Sequence, residues 1–205
     1  SSQTSGNAAM GMGDNVRIDF GDGDDLQIQH TGSNAHIDNN TGNSYFNAAG
    51  NFYFQTANTE AAITCTANAG VELYYDNVKT CYTHSEGIQV QGPEGGNATI
   101  YLYADEGDDN ADKYRLSSLT NGNWEVGNYS SGSAWETNIR ATGGGAASLY
   151  YDDAKKFETD PNGVLQGDNS WHYWGDSDDL YMGHNGTHSY ITNTTGNFYI
   201  TNSGG

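Results

Sequence analysis

Glu72-Leu73-Tyr74-Tyr75-Asp76-Asn77-Val78-Lys79 and Ser148-Leu149-Tyr150-Tyr151-Asp152-Asp153-Ala154-Lys155 decide the fold, because they are two copies of one unit. Each copy pairs an alternating apolar run with an Asp-Asn or Asp-Asp turn, which reads as strand, tight turn, strand. Working outward, Lys79 matches Lys155, Gly87 matches Gly163 and Ile88 matches Val164. A second repeat lies outside the first. Phe20-Gly21-Asp22-Gly23-Asp24-Asp25-Leu26 returns 154 residues later as Trp174-Gly175-Asp176-Ser177-Asp178-Asp179-Leu180. Repetition on this scale marks an extended architecture in which each unit is completed by its neighbours. In the matched hairpins, Leu73 and Leu149 are expected to point inward, as are Cys81 and Phe157.

The rest of the chain follows the same alternation. Strands are predicted over residues 16–20, 26–30, 35–37, 71–75, 78–83, 88–90, 98–103, 113–116, 123–129 and 135–140. Gly, Asn and Asp between them supply the positive φ angles that tight turns need. Gly42-Asn43-Ser44-Tyr45-Phe46, Gly50-Asn51-Phe52-Tyr53-Phe54 and Gly196-Asn197-Phe198-Tyr199-Ile200 each read as a turn feeding an aromatic strand. No segment of ten or more residues carries a helical apolar period. The fold class is therefore all-β: repeated short antiparallel strands joined by Gly/Asp/Asn turns. Four regions are expected. Residues 1–13 form a flexible or interface-ordered N-terminal tail, 14–92 a β-repeat region, 93–141 an irregular β region with an acidic loop, and 142–205 a second β-repeat region.

Composition narrows the function classes. Only 35% of the 205 residues are hydrophobic, yet 15 Tyr, 6 Phe and 4 Trp are too many aromatics for a disordered chain. Mean hydropathy is −0.74. Tyr at this density suits positions half in a core and half in water, as in a thin fibre or an interface. Short strands, 28 Gly and sparse aliphatic residues leave little core for an isolated monomer. The 26 acidic residues outnumber 7 basic ones, a net charge of −19. That balance excludes nucleic acid, whose phosphates need Lys or Arg, and disfavours anionic membranes. No apolar run is long enough to span a bilayer as a helix. Ser1-Ser2-Gln3-Thr4-Ser5-Gly6 lacks the basic and apolar segments of a signal peptide, and no initiator Met is present. The chain thus reads as a processed protein or a fragment.

Candidate sites are few. The Asp105-Glu106-Gly107-Asp108-Asp109-Asn110-Ala111-Asp112 loop is the best candidate for a hard cation such as Ca²⁺, but its spacing is not that of an EF-hand. It reads as a solvated turn, with Lys113, Arg115 and Arg140 compensating its charge. No metal or other cofactor is expected. His30 and His184 occupy one place in the outer repeat and read as hydrogen-bonding side chains. Cys65 and Cys81 lack a zinc-like pattern and read as apolar thiols. Five Asn-x-Ser/Thr triplets, at Asn39, Asn97, Asn128, Asn185 and Asn193, are expected from composition. Scattered Glu residues supply carboxylates as any acidic chain does, and no nucleophile elbow or phosphate loop occurs, so the chain is not read as an enzyme. Trp124, Trp135, Trp171 and Trp174 sit among Asn, Gly and Ser, where an indole can stack against a sugar ring. Trp124 and Trp135, in the irregular region, are the ligand-binding candidates; the competing reading is that they plug thin sheets or inter-chain seams.

Four runs carry a family resemblance: Phe20-Gly-Asp-Gly-Asp-Asp-Leu-Gln-Ile-Gln-His30, Val71-Glu-Leu-Tyr-Tyr-Asp-Asn-Val-Lys79, Tyr103-Ala-Asp-Glu-Gly-Asp-Asp-Asn-Ala-Asp-Lys113 and Ser130-Ser-Gly-Ser-Ala-Trp-Glu-Thr-Asn-Ile-Arg140. They resemble repeats in tail fibres and other fibrous virion proteins of tailed phages that infect marine cyanobacteria and related bacteria. The resemblance implies an elongated, intertwined homotrimer on the virion, exposed to the medium. Its partners would be copies of itself, other virion proteins and a cell-surface glycan at the host. It implies no catalytic residue. Two alternatives stay open on the residues themselves: a carbohydrate-binding module or surface adhesin, and a glycan depolymerase.

Overall fold

The structure is a computed structural model that describes residues 11–57, 59–202 and 204. The tail expected over residues 1–13 lies, up to residue 10, outside the described residues. Eighteen strands are described. They are β1 (Arg17–Phe20), β2 (Leu26–His30), β3 (Ala35–Asn39), β4 (Phe52–Thr56), β5 (Glu60–Cys65), β6 (Val71–Tyr75), β7 (Val78–His84), β8 (Gly87–Val90) and β9 (Ala98–Tyr103). They continue with β10 (Lys113–Ser118), β11 (Asn123–Asn128), β12 (Glu136–Thr142), β13 (Ala147–Tyr151), β14 (Ala154–Asp160), β15 (Gly163–Leu165), β16 (Ser170–Trp174), β17 (Leu180–His184) and β18 (Ser189–Asn193). The acidic loop adds two short 3-10 turns, Asp105–Gly107 and Asn110–Asp112. The all-β reading is therefore correct.

The strands form four antiparallel meanders. Their orders are β1-β2-β3, β4-β5-β6-β7-β8, β9 through β15, and β16-β17-β18. Every strand neighbours its sequence neighbour, the simplest outcome when tight turns join short strands. The first meander belongs to a compact unit that ends at Ala49; the other three lie in a second unit that begins at Gly50. One sheet, β9–β15, runs through both the 93–141 region and the first part of the second repeat region.

The inner repeats share one backbone, offset by 76 residues. Asp76 and Asn77 have φ of 50° and 59°; Asp152 and Asp153 both have 53°. Two consecutive left-handed residues make the turn whose twist matches the flanking strands, and Asp and Asn tolerate that region best after Gly. The second turn residue also caps a neighbouring strand. Asn77 Oδ1 accepts from Ala61 N at 2.9 Å, and Asp153 Oδ1 accepts from Thr137 N at 2.7 Å. Thr83 Oγ1 accepts from Val71 N, and Thr159 Oγ1 from Ala147 N, each at 2.9 Å. A register shift after Leu73 recurs after Leu149.

Two expectations fail here, each for a non-local reason. Among the described residues no apolar side chain is fully buried; Leu73 is 42% and Leu149 is 49% exposed. The matched leucines do lie on the same face of their sheets, but that face has no covering layer, so inward has no meaning within one chain. Cys81 and Phe157 are half-buried on the same faces. Of the three aromatic echoes only Phe52–Thr56 becomes a strand, because β5 pairs with it. Among the described residues Tyr45-Phe46 and Phe198–Ile200 join no strand ladder and are irregular in backbone. Strand β5 itself, Glu-Ala-Ala-Ile-Thr-Cys, has too weak an alternation to be read from sequence.

Asp153→Ala is expected to destabilise the second unit by about 1–3 kcal/mol, combining left-handed backbone strain with the lost cap. Asp153→Gly relieves the strain and loses only the cap, so it should cost less. Urea unfolding of the two variants checks the order; equal costs would mean that the turn conformation is unimportant.

Candidate functional site

Three of the four sheets have one apolar and one polar face. In the seven-stranded sheet the ladder aligns Ile100, Leu116, Val126, Ile139, Leu149 and Phe157 in one row across β9–β14. One residue away, on the other face, Thr99, Ser117, Glu125, Arg140, Ser148 and Glu158 form a polar row. The five-stranded sheet repeats the division: Phe54, Ile63, Leu73, Cys81 and Val90 against Tyr53, Thr64, Glu72, Tyr82 and Gln89. In the first meander Ile18, Ile28 and Ile37 make the apolar row. Period-two alternation in register produces these rows directly.

The polar faces are the better covered ones. Ser117, Glu125, Ser148 and Thr64 are buried, whereas Ile100, Ile139 and Leu149 are exposed. Long side chains of the same chain roof the polar rows. Arg140 Nε donates to Glu125 Oε1 at 2.6 Å, and its Nη1 donates to the Tyr150 hydroxyl at 3.2 Å. That carboxylate raises the Arg140 pKa further above its ordinary value. The Arg115 guanidinium lies 4.7 Å from the Trp135 ring, and Trp135 packs on Tyr101 and Tyr129. Arg115 Nε is buried with no hydrogen-bond partner, consistent with a guanidinium held by a ring face. Arg140 therefore serves the sheet, not the acidic loop as expected from sequence.

In the five-stranded sheet Glu72 accepts from the Tyr74 hydroxyl at 2.6 Å and from Lys79 Nζ at 3.0 Å. The Tyr74 bond first, and the Lys79 bond second, hold the Glu72 carboxyl below the usual range. In the second copy position 72 becomes Ser148, and its cross-strand neighbour Tyr82 becomes Glu158. Lys155 follows the carboxylate across the ladder and bonds Glu158 at 2.6 Å.

The sequence-predicted ligand residues do not meet. Trp124 lies opposite Ser118 and Ala141 on the apolar face, 44% exposed. Trp135 packs on the polar face among Tyr101, Arg115 and Tyr129. Asp105, Asp108 and Asp112 bring carboxylate oxygens within 4.8 Å of one another on the acidic loop, where its two 3-10 turns gather them, Asp105 and Asp108 exposed and Asp112 half-buried. His30 and His184 each place Nδ1 at 2.9 Å from an aspartate, Asp14 and Asp168, and 3.1 Å from the amide N of Gly32 and Gly186. They fasten the same turn in two copies. Cys65 and Cys81 are free thiols.

What sequence reading missed is a change of face between the outer repeats. In β1–β3 one face carries Arg17, Asp19, Gln27, Gln29, His36 and Asp38. In β16–β18 the equivalent positions carry Trp171, Tyr173, Tyr181, Gly183, Tyr190 and Thr192. The frame is retained: Thr41 Oγ1 to Asp25, and Thr195 Oγ1 to Asp179, are both 3.1 Å. Superposing the two runs at their offset of 154 and comparing alternate positions is the signal that exposes the exchange. No family model matches this sequence, and comparison with curated proteins finds no relative.

Because the Glu72 carboxyl is held below its ordinary value, the unfolded chain binds that proton first on acidification. The contribution of Glu72 is complete above the ordinary glutamate range and is lost as pH falls through the lowered folded value. The stability difference between wild type and Glu72→Gln should therefore be largest near neutrality and close in acid. Melting curves across pH check it; a difference that is flat with pH would contradict the assignment.

Proposed function

We propose that this chain is a structural subunit that assembles with copies of itself as a homotrimer in a virion fibre or appendage exposed to the medium, where it contributes to host-surface attachment. The observation that carries the reading is the apolar row Ile100–Leu116–Val126–Ile139–Leu149–Phe157, half-buried to exposed on a sheet whose opposite face is roofed by its own side chains. Contiguous apolar surface of this kind marks an interaction face. Matching rows in the other sheets extend the same demand, and identical chains supply identical rows. The setting on a virion rests on the resemblance of the repeated runs, not on the geometry.

The depolymerase alternative needs two carboxylates flanking a bound sugar at fixed separation. Here Glu125 is bonded to Arg140 and Glu72 to Tyr74 and Lys79, which suits packing roles. A net charge of −19 opposes association, so ionic strength should favour it.

Light scattering with analytical ultracentrifugation tests the assembly. Wild type should run as a trimer. Leu149→Asp should lower the mass towards monomer with unchanged far-UV circular dichroism, since a half-exposed site admits a charge in a single chain but not in a dry seam. Added salt should strengthen association, with calcium no better than sodium at equal ionic strength. A wild-type chain that stays monomeric and unfolds cooperatively would overturn the proposal.

A further inference from the structure

The exchange of one face between the outer repeats leaves a surface that assembly does not explain. In the first meander Arg17 donates to Asp24 at 3.3 Å and to Gln27 at 3.3 Å, so the face is closed by charge pairing. In the last meander Arg17 is replaced by Trp171 and Asp19 by Tyr173. Asp178, the equivalent of Asp24 with the same φ of 55°, thereby loses its cation. Among the described residues its carboxylate has no ion-pair or hydrogen-bond partner.

The aromatic set is arranged around a glycine. A Cβ at Gly183 would lie 2.6 Å from Trp171 Cε3, so the indole rests directly on the β17 backbone. Trp171 packs on Tyr181 at 5.5 Å and on Tyr190 at 5.8 Å, and Tyr173 packs on Tyr181 at 5.8 Å. Trp171 meets Tyr181 edge-on at 83° and Tyr190 at 45°, and Tyr173 meets Tyr181 at 42°, so the rings form one contiguous, stepped cluster and not the separated walls of a cage for a small cation. With Asp178 and Asn185 these four rings line an open depression of about 440 Å³. Asp178 lies in the turn before β17 and Asn185 in the turn after it, so polar groups stand at the two ends of the platform. Strand β17 between them spans about 14 Å, the length of a short oligosaccharide.

Asn185 is oriented in advance. Its Oδ1 accepts from the Thr187 and His188 amides at 3.0 and 2.8 Å. Its Nδ2 is thereby turned towards the Tyr190 hydroxyl, 3.4 Å away, with a second N–H to give. An indole laid flat on Gly183 with tyrosine rings stepped around it, a carboxylate that accepts and an amide that donates match the apolar C–H face and equatorial hydroxyls of a pyranose. The unpaired Asp178 and the overall charge of −19 repel acidic sugars.

We propose that the Trp171–Tyr173–Tyr181–Tyr190 face of β16–β18 binds neutral oligosaccharides, with Asp178 and Asn185 bonding sugar hydroxyls at its two ends. This site does not rest on self-assembly, which uses the aliphatic rows of the other sheets; on the opposite face of β16–β18 the row is His172, Met182 and Ile191. It is also distinct from Trp124 and Trp135.

The test uses the whole chain and a panel of neutral trisaccharides: N,N′,N″-triacetylchitotriose, cellotriose, maltotriose and mannotriose. Binding is read by tryptophan fluorescence and saturation-transfer NMR. At least one should bind. The variant carrying Tyr181→Gln with Tyr190→His installs the residues that the first meander holds on the same backbone, Gln27 and His36, so it should fold and lose about tenfold or more in affinity. Asp178→Asn preserves the turn and should weaken binding several-fold. Mass by light scattering is recorded on the same samples and should not change in either variant. Failure of every sugar to bind, unchanged affinity in the double variant, or unchanged affinity in Asp178→Asn would overturn the proposal. So would binding of choline in place of sugar, or a fall in assembly mass in the double variant, which would make this face a seam between copies.

Discussion

A single-layer sheet has two faces, and this chain carries enough side-chain volume to roof only one of them. Everything else follows from that shortage. Hydrogen-bond ladders hold each meander, and the polar rows are covered by Arg140, Tyr150, Arg115 and Trp135. The aliphatic rows are left open. A fully buried Leu contributes about 1.5–3 kcal/mol relative to an exposed one. At 49% exposure Leu149 realises only part of that within one chain. The remainder is available to whatever covers the row.

The repeats show which features the architecture holds constant and which it leaves free. Turn frames are retained to within a few tenths of an ångström in their hydrogen bonds. Asn51 and Asn197 each reach a tyrosine hydroxyl two residues on at 2.9 Å. In the inner repeat a charge moves and its pairing survives. The carboxylate at 72 reappears across the ladder at 158, and the lysine adjusts its reach. Faces are freer still, since the outer repeat exchanges an ion-paired surface for an aromatic one without altering the strands.

That freedom explains the uneven record of the aromatic residues. Trp124 and Trp135 are close in sequence and similar in surroundings, yet a change of parity and an intervening loop put them on opposite faces. Trp171 and Tyr190 are 19 residues apart and meet, because β16 and β18 both flank Gly183. Composition identifies that rings are abundant; register decides which rings share a platform.

Most strands, their antiparallel pairing and the turns at 76–77 and 152–153 were legible in the sequence, because alternation and positive φ are local properties of a few residues. The equivalence of the copies was legible too, since it needs only comparison of the chain with itself. The exposure of Leu73 and Leu149, the irregular backbone at Tyr45-Phe46 and the service of Arg140 to Glu125 were not. Each depends on what lies across a ladder or above a face, and that is set by residues distant in sequence. Alternation fixes that two faces differ. Only the tertiary structure decides which face the chain covers for itself, and here it covers the polar one, because long Arg and Tyr side chains can span a row that short aliphatic ones cannot.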